Sequence, residues 1–175
     1  MPIANRKIQS KVKILIALTI FGSAFGYVEA TVVFYLRYLI NFHTNYNVSN
    51  YKVLLNLGFI TFISPVHSLL VNNRISTAEV FREAATIIML IAISYLAGSN
   101  KKQRFGAFLV SFAAWDIMYY VFLKILDSWP NSLFTKDIFF LIPVPWLGPI
   151  ITPIIISTIM FIVGCWLYIK PITMK

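Results

Sequence analysis

Apolar residues gather along this chain in five long stretches, at about 14–40, 53–71, 78–97, 105–126 and 138–169, with short polar breaks between them. A helix that crosses a bilayer needs about 20 apolar residues. The first, third and fourth stretches supply that directly, and the last supplies it over 149–169. Its front half, Phe139-Phe-Leu-Ile-Pro-Val-Pro-Trp-Leu-Gly-Pro149, is excluded from regular helix. Pro143, Pro145 and Pro149 each lack an amide donor and constrain the residue before them. The second stretch is barely long enough to span and contains Asn56, Pro65 and His67.

Basic residues arbitrate, because Lys and Arg collect on the cytoplasmic side of membrane proteins. With four spans (14–40, 78–97, 105–126 and 149–169) and both termini cytoplasmic, Arg6, Lys7, Lys11, Lys13, Lys101, Lys102, Arg104, Lys170 and Lys175 all fall inside. Only Lys52, Arg74 and Lys136 are left in the outer loops. A fifth span over 53–71 would throw the Lys101 cluster outside, so the pattern favours four. The segments 53–71 and 138–148 then become non-spanning, irregular pieces on the outer side, placed like a lid. Such backbone is tolerated at membrane depth only where protein or a watery cavity satisfies it. The fold expected is an all-α polytopic bundle forming a single membrane domain over 1–175, in the cell membrane.

Composition sharpens this picture. The chain has 175 residues, 59% hydrophobic and 12% charged, too few polar side chains to cover a soluble domain. Its net charge of +9 sits in clusters flanking apolar runs. Membrane lipids are therefore the expected partner and nucleic acid is not. Cys165 is the sole cysteine, which excludes an internal disulfide and a thiolate-rich metal site.

An ionisable side chain at membrane depth is costly unless paired, hydrated or able to reach water, so each is a functional candidate. Glu29 lies about 22 Å along the first span, Glu83 about 8 Å into the second and Asp116 about 17 Å into the third. Three helices thus bring acids to one layer in the outer half. Glu79, Arg82, Glu83 and Thr86 form one polar stripe by helical spacing, and Asp116, Tyr119 and Tyr120 form another that Lys124 continues. Ser76-Thr-Ala-Glu79 reads as a capping box opening the second span, with Glu79 its cap and Gly98 closing it. Lys124 and Arg37 compete with a plainer reading in which they extend to the outer headgroups. Gly22 and Gly26 are spaced for close helix approach beside Glu29. The candidate proton carriers are Glu29, Glu83 and Asp116. The candidate ligand-binding residues are Arg82, Arg37, Tyr119, Tyr120 and Trp146.

Other chemistry lacks material. The Glu-x-x-His pairs of a di-iron bundle are missing, and arginines near the acids oppose a dedicated cation cage, so no metal is assigned even with His67 nearby. Nucleotide-binding glycine loops, zinc-protease signatures and nucleophile elbows do not occur. The sequence names no cofactor.

Together, Arg82-Glu-Ala-Ala-Thr86, Trp115-Asp-Ile-Met-Tyr-Tyr120, Trp129-Pro and Ile142-Pro-Val-Pro-Trp-Leu-Gly-Pro149 resemble a group of small bacterial and archaeal polytopic membrane proteins of unassigned function. The resemblance spans roughly 20–155. It implies that these segments belong together, and it carries over no activity. The expectation is a buried acid and arginine site that binds or processes a lipid headgroup or small polar ligand. The alternatives are an accessory or structural subunit of a larger membrane complex or a small transporter; a homo-oligomer or other membrane subunits are the candidate protein partners, and the pattern leaves catalysis open.

Overall fold

A computed structural model describes residues 3–40, 51–65 and 73–170; His67 and Tyr46 lie outside the described residues. The elements run α1 (Ile3–Ile40), β1 (Tyr51–Asn56), β2 (Thr61–Pro65), α2 (Asn73–Ala97), α3 (Lys101–Asp127), β3 (Lys136–Ile138), β4 (Trp146–Pro149) and α4 (Ile151–Ile169). Four helical stretches are long and apolar enough to cross a membrane: Gln9–Leu39, Asn73–Ala97, Lys101–Asp127 and Ile151–Ile169. The fold is the expected all-α four-helix bundle with a small sheet added.

That sheet is the main departure. Segments 53–71 and 138–148 were expected to be irregular, yet their described parts pair into one antiparallel sheet of order β1-β2-β4-β3. Residues 51–65 are accordingly a hairpin and not part of a fifth spanning helix. Gly58 turns it at φ +85°, where a side chain would be strained, and its amide donates to Asn56 Oδ1 at 2.8 Å. Phe62 pairs with Trp146 and Thr61 with Leu147, residues far apart in sequence, which is why no local pattern announced the strands.

Helix ends explain two further differences. The helix α2 is already under way at Asn73, so Ser76 does not open it, and Glu79 binds Arg82 instead of capping. Lys124 does not run out to headgroups; its ammonium donates to the carbonyls of Ser128 and Pro130, both at 3.0 Å, beyond the end of α3. Elsewhere the local logic is ordinary. Asn100 caps α3 by accepting the Gln103 amide at 3.1 Å. The amides of Ile150 and Ile151, at the start of α4, donate to the carbonyls of Thr135 and Leu133. Pro153 sits in the first turn, where a missing amide costs nothing.

The bundle has two unlike ends. At one, Lys11 Nζ donates to the Ile169 carbonyl and Tyr168 Oη to the Ala97 carbonyl, bringing together the start of α1, the α2–α3 turn and the end of α4. Just inside this end, Leu15, Leu18, Ala107, Val110 and Tyr168 form a buried apolar cluster. Gly106 and Gly164 bring α3 against α4 here, and a Cβ on either would stand 2.8 Å from the other's carbonyl oxygen. The sheet closes the opposite end. Between the two, Gly22 and Gly26 let α1 approach α3, where added Cβ atoms would meet the Ser111 and Trp115 carbonyls at 2.5 and 2.7 Å.

Candidate functional site

Beneath the sheet the helices separate around a cavity of about 430 Å³. Its polar wall carries Glu29 from α1, Glu79, Arg82 and Glu83 from α2, Asp116 from α3 and Asp137 from β3. The sequence holds six acidic residues in all. Five line this cavity, and the sixth, Asp127, is bonded to the cavity-lining Arg37. Glu29, Glu83 and Asp116 therefore meet at one cavity, joined there by Glu79 and Asp137.

Each acid is held differently. Glu29, 6% exposed, is in an ion pair with Arg82 and accepts the Thr86 hydroxyl at 2.8 Å. Arg82 also grips Glu79 Oε2 through Nε at 2.9 Å and Nη2 at 2.6 Å, so its donors are divided between two acids. Glu83 accepts the backbone amides of Leu141 and Ile142 at 2.8 and 3.1 Å, latching the loop between β3 and β4 onto α2. Arg37, a candidate ligand-binding residue, donates to Asp127 at 2.7 Å and lies 4.0 Å over the Trp129 ring, contacts that the plainer reading of an extension to headgroups did not include.

Asp116 and Asp137 stand apart from this pattern. Both are buried, at 9% and 4% exposure, and among the described residues neither is in an ion pair. Their side-chain partners are hydroxyls: Ser157 donates to Asp116 at 2.7 Å and Tyr120 to Asp137 at 3.1 Å, with the Ile138 amide also serving Asp137. Burial pushes the Asp137 carboxyl up to about 6, and repulsion from Asp116 adds to the rise. Arg37, the Tyr120 hydroxyl and the Ile138 amide pull the other way without cancelling it.

Aromatic rings complete the lining. Tyr119, Tyr120, Trp115 and Phe140 all face the cavity, the two tyrosine rings meeting edge to face at 4.9 Å. Trp146 does not line it; that ring packs behind the wall, 5.5 Å from Phe140 and 5.2 Å from Phe62. Two cavity-lining residues retain buried donors with no acceptor, Arg37 through Nε and Trp115 through Nε1. Among the described residues no three His, Cys, Asp or Glu side chains converge as a metal site would require.

Sequence reasoning overlooked Asp137, Asp127 and Ser157. The scarcity of acids was the available signal: with only six in the chain, Asp137 at the head of Ile138-Phe-Phe-Leu merited the same attention as Asp116. Chemically, the wall can form charge-assisted hydrogen bonds to a polar group and can hold a proton on Asp116 or Asp137. Comparison with known protein families, with characterised proteins and with solved structures finds no match.

Proposed function

We propose that this is a multi-pass protein of the cell membrane, both termini cytoplasmic, that binds a lipid headgroup or similarly small polar ligand in the cavity at the sheet end. The outer half of the bilayer is the assigned side, since Lys11, Lys101, Lys102, Arg104 and Lys170 belong to the opposite end. The observation that carries the reading is the gathering of all six acidic side chains at one cavity, five in its wall and Asp127 behind Arg37. Desolvated carboxylates are expensive, and a bundle that needed only to hold itself together would do better with apolar side chains. The volume falls within the range of about 300–1,000 Å³ usual for small-ligand sites. Glu29, Arg82 and Glu83 shape the wall, while Asp116 and Asp137 are the groups able to exchange a proton with what sits there.

The accessory-subunit reading draws less support, because α3 already occupies the close-approach surface at Gly22 and Gly26. The test is mass spectrometry of small molecules retained by the full-length protein purified in native membrane discs. Wild type is expected to carry a defined ligand, and Asp116→Asn and Glu83→Gln to lose it while keeping helical content and melting temperature. Equal retention by both variants would overturn the proposal, as would a wild-type cavity that retains nothing.

A further inference from the structure

The charge balance of the wall narrows the ligand class. Five carboxyl groups line the cavity against two guanidinium groups. Both guanidinium groups are already engaged, Arg82 with Glu29 and Glu79, Arg37 with Asp127. An anionic ligand would have to displace one of these pairs and leave a buried carboxylate without its partner. Asp116 and Asp137 have the opposite deficiency, since each is buried with a hydroxyl bonded to its carboxyl and, among the described residues, no ion pair; Arg37 acts on Asp137 only at longer range.

We infer, on the reading that this cavity is a headgroup site, that its ligand carries an ammonium group seated between Asp116 and Asp137 against the Tyr119, Tyr120 and Trp115 rings. An ammonium offers three donors to carboxylate and phenol oxygens, and its charge is attracted by aromatic faces. The two donors left unsatisfied in the same lining, Arg37 Nε and Trp115 Nε1, add an independent constraint. Arg37 is buried, its side chain 9% exposed, and Trp115 is 8% exposed, so neither donor has water as a ready substitute. Both atoms are sealed from water, so we assign them an acceptor on the same ligand that is reached when these two side chains turn toward the cavity. A cationic group and an acceptor on one small molecule describe a zwitterion such as phosphoethanolamine, either at the head of a phospholipid or free in solution.

The experiment places the full-length protein in nanodiscs containing equal phosphatidylethanolamine and phosphatidylglycerol, then identifies the lipid retained after detergent extraction. A parallel arm offers free phosphoethanolamine to protein in lipid-free detergent. Wild type is expected to retain phosphatidylethanolamine over phosphatidylglycerol by roughly tenfold or more, and Asp137→Asn to abolish that preference. The side-chain amide introduced by Asp137→Asn keeps an acceptor for the Tyr120 hydroxyl, so this variant tests the inference independently of Asp116→Asn. Binding of free phosphoethanolamine that Asp137→Asn weakens to the same degree would support the inference with a soluble source for the ligand. Retention of phosphatidylglycerol equal to or above phosphatidylethanolamine would overturn the ammonium assignment and leave the headgroup site standing. Retention of neither lipid, with no binding of free phosphoethanolamine, would remove both.

Discussion

The two ends of the bundle solve the problem of joining helices in lipid by opposite means. At the end where α4 finishes, backbone meets backbone: Gly106 and Gly164 bring α3 and α4 together, and Leu15, Leu18 and Val110 fill the remaining space. At the sheet end the helices are joined across a cavity by charged side chains, Arg82 to Glu29, Glu83 to the loop amides and Arg37 to Asp127. Close packing gains dispersion energy and asks nothing of solvation, whereas buried ion pairs often fail to recover their desolvation cost. The tight end can fix the helix axes alone. On the proposed reading, the polar end keeps an arrangement suited to the ligand it holds.

The sharpest way to break that contrast is Arg82→Met. It strands the buried Glu29, and by the usual penalty for an unpartnered buried charge the sheet end should lose about 3–5 kcal/mol, read as a lowered melting temperature in detergent. Adding Glu29→Gln should restore much of it; strict additivity of the two changes would show that the pair is not coupled. Next comes pH. Because the folded state raises the Asp137 carboxyl to about 6, it binds more protons than the unfolded chain between about pH 4 and that value. Stability contributed by Asp137 is complete below about pH 4 and is lost as pH rises through about 6, on the order of 2–3 kcal/mol. Asp137→Asn should flatten that slope in a series of melts, and an unchanged slope would assign the titration elsewhere.

At the tight end, Gly106→Val should cost about 2–3 kcal/mol by forcing α3 from α4, with little effect on ligand retained under the sheet. Loss of ligand in step with stability would erase the distinction between the ends. The smallest change in stability is expected of Glu83→Gln, which keeps one carbonyl acceptor for the two amides it serves. Hydrogen exchange at Leu141 and Ile142 should quicken about tenfold while the rest of the chain stays protected.

Most of the helical framework could be read from hydropathy, since apolar length and basic flanks are local properties. Glu29, Glu83 and Asp116 were legible for a related reason: a carboxylate inside an apolar run is conspicuous wherever the helix ends up. The sheet was not. Phe62 meets Trp146 across a long stretch of intervening chain, and neither segment is long enough to declare a strand by itself. Asp137 escaped for the same reason, standing beside Lys136 in what looked like a surface loop until strand pairing turned it inward. Glu79 was misread because the capping pattern was sound but the helix had already begun.

The hairpin combines open backbone with bare apolar side chains. Its outer strand, β1, is an edge with unpaired backbone groups and pairs with no second strand among the described residues; around the turn Leu54, Leu55, Leu57 and Phe59 are each about half exposed. Open amides cannot rest in hydrocarbon, and so many bare leucines are ill suited to bulk water. The glycerol zone of a bilayer satisfies both, and a hairpin seated there would act as a waterline, setting on the proposed reading the level at which the chamber beneath could meet passing lipids.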